Sequence, residues 1–344
     1  MKHISYPKIP QFRNVVSNIS RMISFVGLDE NGDAIYDPTV KKPTLIFKGT
    51  VKIHGTNAGV CYNSKDGLWA QSREKVITLE KDNAGFAFFV ETNKVDFTSL
   101  INKISDDNNI DTDKYTISVY GEWAGGSIQK NVAIANLEKA FYMFGVKVSE
   151  PSNPDFVNYW LPFEDYRFEN NDKIWNINEF PTYEVSVDFN VPQMAQNKFV
   201  ELTTAIGDEC PVAKHFGSSG IGEGLVWSVE YKGTMHRFKT KDDRHAGKSK
   251  IKKIKKVDNE KLQKIIDVAG KVTPVWRLSQ MFNEVTKNGE DINRKHLSTY
   301  IRLVIKDIMD EDLDIISDAG LEPKEINKYV SQYAREYFFE QEAL

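Results

Sequence analysis

The strongest constraint on how this chain folds is a change of sequence pattern near residue 250. Before it, for about two hundred residues, short segments rich in aromatic and β-branched residues alternate with turn residues, which predicts strands. After it, apolar residues recur at helical spacing to the end of the sequence. The pattern predicts an α+β protein with a β-rich domain over residues 1–250 and a small all-α C-terminal domain over residues 251–344.

The individual elements are predicted from local patterns on each side of that change. Residues 11–27 predict an amphipathic helix that Gly27 ends, and residues 194–206 predict a second helical stretch. The predicted strands are 44–47, 58–62, 68–72, 115–123, 141–148, 225–230 and 237–241. The predicted C-terminal helices begin near residues 258, 274, 291 and 323.

The charge balance limits the partners that the chain attracts through its overall field. Forty-five Lys and Arg against 49 Asp and Glu give a net charge of -4, which excludes a chain-wide basic field for nucleic acid. One segment is the exception, because residues 232–256 contain eleven Lys or Arg and two Asp. Within this basic segment, the linker has two interpretations, a solvated hinge or a contact with a nucleic-acid backbone. Its basic residues are Lys248, Lys250, Lys252, Lys253, Lys255 and Lys256.

Cysteine content and hydropathy predict the compartment. The two cysteines, Cys61 and Cys210, are too few for a four-thiolate zinc site or a disulfide framework. The first residues lack the apolar stretch of a signal peptide, and no run approaches the roughly 18 apolar residues of a membrane span. We therefore expect a cytoplasmic protein with no membrane partner.

One segment at the end of a predicted strand carries the clearest chemical signal. In Lys52-Ile53-His54-Gly55-Thr56-Asn57, a lysine precedes a tight, glycine-containing turn with small polar residues. Such a turn leaves backbone N–H groups free to contact a phosphate beside the lysine. A lone lysine at a strand end is usually solvated, so the interpretation depends on three further segments with charged residues at strand ends. These are Gly121-Glu122-Trp123-Ala124-Gly125, Glu223-Gly224 and Phe238-Lys239-Thr240-Lys241.

The order of these segments, with Ser72-Arg73 and Phe141-Tyr142-Met143-Phe144 between them, resembles that of the covalent nucleotidyltransferases. This superfamily contains the ATP-dependent ligases and the mRNA capping enzymes. The run His54-Gly55-Thr56-Asn57 is similar to that of the RNA ligase 2 and RNA-editing ligase branch, whereas DNA ligases and capping enzymes usually have Asp in place of the histidine. The C-terminal region is predicted to be helical and to form no OB-fold barrel, which is similar to the phage-type RNA ligase 2 enzymes.

The resemblance implies a fold and a reaction. The fold is an ATP-grasp-like adenylation domain of antiparallel sheets and helices. Lys52 would attack the α-phosphorus of ATP, expel pyrophosphate and hold AMP as a phosphoramidate. The AMP would pass to an RNA 5′-phosphate, and an RNA 3′-hydroxyl would then displace it. The implied cofactors are ATP and Mg²⁺ or Mn²⁺, and the implied substrate is the RNA ends of a nicked duplex. The resemblance also implies a monomer that acts in phage-like repair in the host cytoplasm.

The resemblance also implies a role for each motif residue. The implied catalytic residues are Lys52, His54, Lys239 and Lys241. The implied nucleotide-binding residues are Lys52, Ile53, Asn57, Arg73, Glu122, Phe144, Glu223, Lys239 and Lys241. Phe144 would stack on adenine, while Arg73 and Glu122 would hold ribose. Glu223 would lie beside the metal, and the two lysines of the last segment would bind the α-phosphate.

Simpler interpretations of the same residues stay open. Phe144 has the pattern of ordinary strand core, Arg73 that of a surface ion-pair partner, and Glu122 that of a buried carboxylate bonded to backbone N–H groups. The sequence also departs from the family pattern, because no lysine follows soon after Glu223-Gly224 and Gly145 stands where an acidic residue is common. The alternative functions are a DNA ligase, a capping-type nucleotidyltransferase, or a catalytically silent RNA-binding protein.

Overall fold

A computed structural model describes residues 1–37, 39–153, 155–168, 171–245, 254–286 and 293–342. The chain forms two compact units, and neither is one continuous stretch of sequence. The first, here called the sheet unit, comprises Met1–Val15, Leu45–Ser186 and Lys198–Ile254. The second, here called the helical unit, comprises Val16–Thr44, Val187–Asn197 and Lys255–Leu344.

The α+β class predicted from the sequence is confirmed. The strands are β1 (Phe25–Leu28), β2 (Ala34–Tyr36), β3 (Thr44–Lys52), β4 (Thr56–Asn63), β5 (Gly67–Ser72), β6 (Val76–Ile77), β7 (Thr116–Ala124), β8 (Ala140–Ser149), β9 (Tyr159–Leu161), β10 (Ile174–Asn176), β11 (Thr182–Asp188), β12 (Gly224–Tyr231) and β13 (Thr234–Lys241). The helices are α1 (Phe12–Ser24), α2 (Phe86–Thr92), α3 (Lys94–Asn108), α4 (Gln196–Asp208), α5 (Pro211–His215), α6 (Asn259–Val272), α7 (Val275–Thr286), α8 (Leu297–Glu311), α9 (Leu313–Asp318) and α10 (Pro323–Glu342). Short 3₁₀ turns occupy Ala133–Asn136, Ile177–Glu179, Pro192–Ala195, Asp243–His245 and Arg294–His296.

Two sheets supply the framework of the sheet unit. The larger has the strand order β10-β8-β7-β4-β5-β6, with β9 also paired to β8. The smaller has the order β11-β3-β12-β13. The neighbours β3, β12 and β13 are antiparallel, as are β4, β5, β7 and β8, whereas β10 runs parallel to β8.

The smaller sheet is apolar on one face and polar on the other, because side chains alternate along each strand. Its apolar face is a cluster of buried aromatic rings in which Trp227 lies 4.7 Å from Phe199, centroid to centroid. Phe47 and Phe238 belong to the same cluster, with centroids 5.5 Å apart. The opposite face of the sheet carries half-buried polar side chains, so it is the face available for a site.

Two helices interrupt the region that the sequence pattern assigned to strands. Residues 86–108 form α2 and α3 instead, and that part of the prediction is wrong. Phe97, Leu100, Ile101 and Ile104 follow helical spacing and are buried in the core of the larger sheet. The helical spacing of these apolar residues is visible in the sequence, but the aromatic and β-branched residues around them favoured strands.

The predicted N-terminal helix is also too long. α1 ends at Ser24, and the residues up to Leu28 form β1, which pairs with β2. The turn between them is closed by Asp29, whose Oδ1 accepts hydrogen bonds from the N–H groups of Asn31 at 2.9 Å and Asp33 at 2.8 Å. Gly27 therefore lies inside a strand and does not end the helix.

The helical unit contains the C-terminal helices that the sequence predicted. Asp258 caps α6, since its Oδ1 accepts a hydrogen bond from Lys261 N at 2.9 Å. The core of the unit includes Tyr300, Val304, Ile308 and Phe338, which are buried. The predicted start of one helix at residue 291 and residues 246–253 of the basic segment lie outside the described residues. Within the described ranges, no helix is long and apolar enough to cross a membrane.

Candidate active site

The polar face of the smaller sheet presents three rows of side chains, each row crossing β3, β12 and β13. The first row is Lys52, Gly224 and Lys241. The second row is Thr50, Val226 and Lys239, and the third is Lys48, Ser228 and Arg237. Successive rows are two residues apart, or about 7 Å along the strands. The alternation seen in the sequence thus places cations at both ends of one surface.

A cavity of about 340 Å³ lies against this surface. Its remaining walls come from the larger sheet and the N-terminal segment, and include Tyr6, Asn57, Arg73, Glu122 and Phe144. Asn57 of β4 lies opposite Glu122 of β7 in the sheet register. The two sheets therefore bring residues from distant parts of the sequence to one enclosed space.

Phe144 reaches the cavity through an irregularity in β8. Tyr120 of β7 pairs with Gly145, but the next residue, Gly121, pairs with Met143, so Phe144 is an extra residue on its strand. Its side chain lines the cavity and meets the ring of Tyr6 edge-on, with centroids 5.3 Å apart. The bulge explains how one aromatic residue of a buried strand becomes available to a ligand.

Glu223 is the centre of a charged cluster beside the first row. Its side chain is 1% exposed, and its Oε2 lies 2.6 Å from Lys52 Nζ. The same oxygen lies 3.1 Å from His54 Nδ1. The other carboxylate oxygen, Oε1, lies 2.5 Å from Lys241 Nζ. One buried carboxylate thus joins three of the segments that the sequence singled out.

The surroundings of Glu223 keep it ionised. Burial acts to raise the pKa of this carboxyl, but the hydrogen bond from His54, the charge of Lys52 and the bond from Lys241 outweigh burial and lower it well below its usual range. At neutral pH Glu223 is therefore a carboxylate, and it forms an ion pair with Lys52.

Glu122 has the opposite electrostatic balance. Burial raises the pKa of its carboxyl, and the nearby charge of Glu223 adds to that effect, although Lys52 and the backbone N–H of Gly55 lower it. Glu122 Oε1 accepts the hydrogen bond from Gly55 N at 3.0 Å. Gly55 has no room for a side chain, because a Cβ there would lie 2.3 Å from the carbonyl oxygen of Trp123. The glycine in the first motif is thus required by this close approach.

Lys239 lines the middle of the cavity. Burial lowers the pKa of its ammonium group, and the like charges of Lys52 and Lys241 lower it further. Among the described residues, no acid forms an ion pair with Lys239. A partly buried cation in this position has affinity for an anionic ligand such as a phosphate.

The described residues hold no cluster of three or more His, Cys, Asp or Glu side chains suited to a metal ion. Mg²⁺ in nucleotide sites usually takes one or two carboxylates, with water and phosphate oxygens completing its coordination. Glu223 and Glu122 are oxygen donors of the right kind beside the cavity. The donor set therefore fits a divalent ion that arrives with a nucleotide better than a metal held by protein alone.

The structure brings the residues predicted from the motifs to one place. Seven of them line the cavity: Lys52, Ile53, Asn57, Arg73, Glu122, Phe144 and Lys239. The remaining three, His54, Glu223 and Lys241, are joined in the ion-pair cluster with Lys52. Arg73 also lies 3.7 Å from Glu74, side chain to side chain, so its ion-pair interpretation and its place at the cavity coexist.

Sequence reasoning missed several residues of the cavity, notably Tyr6, Glu164 and Arg237. Arg237 had a usable signal, because it lies on the same strand face as Lys239 and Lys241, two residues before the first of them. Tyr6 and Glu164 had none, since only the fold brings residues so far from the motifs to the cavity.

A model of the RNA ligase family matches residues 46–250 of this chain, which contain the predicted motifs from Lys52 to Lys241. Together with the two sheets around the cavity, the motifs define the class of the protein as a covalent nucleotidyltransferase. The match covers more than half of the 344 residues, and the chain belongs to the RNA ligase family. The resemblance found in the sequence is confirmed at this level. No curated protein matches the chain as a relative.

Solved structures of an RNA ligase from Naegleria gruberi are similar to part of the chain. The structure with PPi has 19% identity and a TM-score of 0.42, and the similarity covers 72% of this chain and 58% of that one. A variant of the same ligase with ATP and Mn has 17% identity, a TM-score of 0.42 and the same coverage. The chain therefore spans less than two thirds of the length of those ligases.

Proposed function

We propose that the protein is an ATP-dependent RNA ligase that joins a 5′-phosphate to a 3′-hydroxyl through a lysyl-AMP intermediate. The observation that carries the proposal is the position of Lys52. Its amine lies at one end of the cavity, beside a buried carboxylate and two further lysines. The other end is walled by aromatic rings, so the cavity suits a ligand with an anionic end and a flat end.

The first step is attack of the Lys52 amine on the α-phosphorus of ATP. The N–P bond forms, the bond to the β-phosphate oxygen breaks, and pyrophosphate leaves. The attacking amine must first lose a proton, yet Glu223 holds it as an ammonium group and is a weak proton acceptor. Nucleotide binding therefore has to weaken this ion pair before the reaction. Lys239 and Lys241 would bind the α-phosphate and repel a further positive charge nearby.

A divalent ion, Mg²⁺ or Mn²⁺, would neutralise phosphate charge during the transfer. Glu223 would lie beside it, with Glu122 as a second carboxylate in reach of the cavity. Phe144 would stack on adenine, Arg73 and Glu122 would bind ribose, and Ile53 would form part of the nucleotide wall. His54 and Asn57 would contact phosphates during transfer.

The next two steps concern RNA. AMP passes from Lys52 to the oxygen of an RNA 5′-phosphate, which restores the amine and gives that phosphate a good leaving group. A 3′-hydroxyl then attacks the phosphate and AMP leaves. Residues 1–250 would perform this chemistry, while residues 251–344 and the basic segment would grip a nicked duplex. We place the protein in the RNA ligase 2 and RNA-editing ligase branch, acting as a monomer in cytoplasmic repair.

The deciding experiment compares ATP labelled in different phosphates. Wild-type protein with Mg²⁺ or Mn²⁺ should retain label from the α-phosphate after denaturation and none from the γ-phosphate. Lys52→Ala should retain neither, because it removes the amine that attacks the α-phosphorus. Lys103→Ala, which changes an exposed lysine of α3, is the matched control and should label like wild type.

Labelling with other nucleotides, sealing assays and RNA-binding assays separate the alternatives. Labelling with GTP in preference to ATP would indicate a capping-type enzyme, and sealing of DNA 3′-hydroxyl ends in preference to RNA would indicate a DNA ligase. RNA binding with no label in wild-type protein would support the catalytically silent alternative. Absence of an α-phosphate adduct under both metal ions would contradict the proposed function.

A further inference from the structure

Arg237 lies half-buried in the third row of the polar face, at the end of the cavity away from Lys52. Its guanidinium carbon lies 4.1 Å from the centroid of the Trp160 ring. Stacking on the indole covers a face of the planar guanidinium group and leaves its five N–H donors at the edge. In the described part of the chain, no acceptor takes a hydrogen bond from those donors.

The environment makes this a costly place for an unbonded cation. Burial lowers the pKa of Arg237, and only the more distant Tyr6 and Glu164 act against it. Glu164 lines the cavity as well, but it forms no ion pair with Arg237. A half-buried charge whose N–H groups lack an acceptor among the described residues takes one from water or from a ligand. The donors of Arg237 are thus positioned for a ligand in the cavity.

The two ends of the cavity favour opposite ends of a nucleotide. Lys241 lies four residues from Arg237 on β13, or about 13 Å away along the strand. The end near Lys241 carries the ion-pair cluster and suits phosphates. The end near Arg237 is aromatic: Tyr6 lies 5.5 Å from Trp160 and 5.3 Å from Phe144, centroid to centroid. Flat, uncharged groups with acceptor atoms at their edges fit this end.

We propose that Arg237 is a specificity-determining residue that donates a hydrogen bond to a ring nitrogen of the nucleotide base, while Trp160 orients its guanidinium group. The inference deepens the proposed function and rests on it. Adenine has acceptor nitrogens at positions 1, 3 and 7 of its rings. A base without the contacted nitrogen would leave the buried donor unpaired, so Arg237 favours bases that present an acceptor there.

The first test measures the rate of lysine adenylation against ATP concentration. Arg237→Met should raise the ATP concentration for half-maximal rate at least about tenfold and leave the maximal rate nearly unchanged. For Arg237→Lys, the ATP concentration for half-maximal rate should lie between the values of wild type and Arg237→Met, because lysine keeps the charge and loses the planar fork of donors. Arg13→Met, at an exposed position of α1, makes the same chemical change away from the cavity and should behave like wild type. A variant that lowers only the maximal rate would contradict the proposal.

The second test changes the base of the nucleotide, which does not affect the folding of the protein. The 1-deaza, 3-deaza and 7-deaza analogues of ATP each replace one ring nitrogen with carbon. Wild-type protein should use one of these analogues about tenfold less efficiently than ATP. Arg237→Met should use that analogue and ATP almost equally well, because the variant has already lost the contact. Equal use of all three by wild type, or equal losses in both proteins, would overturn the proposal. A wild type that never forms the adduct would instead overturn the proposed function, so the two failures are distinguishable.

Discussion

At the scale of single residues, Glu223 and Glu122 show how position decides the behaviour of two identical side chains. Glu223 is surrounded by cations, so its pKa is lowered although its burial acts the other way. Glu122 has one backbone N–H and more distant charges, so burial prevails and raises its pKa. The ionised form of Glu223 stabilises the fold, whereas the ionised form of Glu122 costs stability.

These opposite shifts predict opposite effects of removing the charge. Glu223→Gln should lower the free energy of unfolding at pH 7 by about 1–3 kcal/mol, because it leaves the ammonium groups of Lys52 and Lys241 without their carboxylate. The contribution of Glu223 is complete above the ordinary glutamate pKa of about 4.3 and is lost as pH falls through its lowered value. Urea unfolding should therefore show a smaller difference from wild type at pH 3.5 than at pH 7.

Glu122→Gln is the matched control for that measurement. The amide oxygen keeps the hydrogen bond from Gly55 N and removes a charge that burial disfavours. Its free energy of unfolding at pH 7 should be no lower than that of wild type, and we expect it to be higher by about a few tenths of a kcal/mol. A loss in Glu122→Gln as large as in Glu223→Gln would show that the two environments are not electrostatically different.

At the scale of elements, the central position of β12 depends on a close approach to β3. Trp227 of β12 is fully buried and its Nε1 donates to Thr240 Oγ1 at 3.1 Å. Its ring passes over Gly49 of β3, where a Cβ would lie 2.6 Å from the indole. The indole therefore occupies the space that a side chain at position 49 would need.

This packing predicts contrasting effects of two Gly→Ala changes. Gly49→Ala should destabilise the protein by about 1–3 kcal/mol, because the indole has to move within a filled core. Gly270→Ala lies in α6 with nothing within 4 Å of the new methyl, so it should stabilise the helical unit by about 0.5–1 kcal/mol. Unfolding followed by tryptophan fluorescence and circular dichroism measures both, and a neutral Gly49→Ala would contradict the packing.

Periodicity explains which elements the sequence could reveal. β13 alternates half-buried and buried residues from Met235 to Lys241, β12 does so from Leu225 to Ser228, and the sequence located both strands. The predicted α6 and α10 have clear caps or proline starts. The helical spacing of α3 was equally clear, but its neighbours Phe86, Phe88 and Phe89 have high strand propensity. Short strands such as β9 and β10 have too few residues for any period to show.

The features of the site also divide into those that the sequence could reveal and those that it could not. The ordered motifs identified Lys52, Glu122 and the lysines of β13, because each motif is short and local. The sequence could not reveal that Glu223 joins two lysines and a histidine through two oxygens, since those distances depend on the register of β3 with β12 and β13. Tyr6 reaches the cavity because Tyr120, Gln71 and Lys147 bind the backbone of the N-terminal segment.

At the scale of the whole molecule, the basic segment carries the chain from the sheet unit into the helical unit. Lys255 and Lys256 begin the last of the three stretches that form the helical unit and are exposed. If they contact RNA phosphates, each contact releases counterions and makes binding depend on salt. Lysine adenylation involves no RNA and should not depend on them.

Salt dependence therefore separates the two interpretations of this segment. In Lys255→Ala/Lys256→Ala, the slope of log binding constant against log KCl concentration for nicked duplex RNA should become shallower by about 2. Lys264→Ala/Lys271→Ala removes two exposed lysines of α6 and should leave the slope unchanged. Fluorescence anisotropy across a KCl series measures both. An unchanged slope in the first variant would favour a solvated hinge.

The contact between Lys52 and Glu223 has a consequence for the resting protein. The Lys52 side chain beside this buried carboxylate is only 18% exposed, whereas that of Lys103 on α3 is 62% exposed. Reactive metabolites such as aldehydes and acyl phosphates would therefore modify exposed lysines sooner than this one. In the proposed reaction, the burial that holds Lys52 beside Glu223 thus also protects the side chain on which every turnover depends.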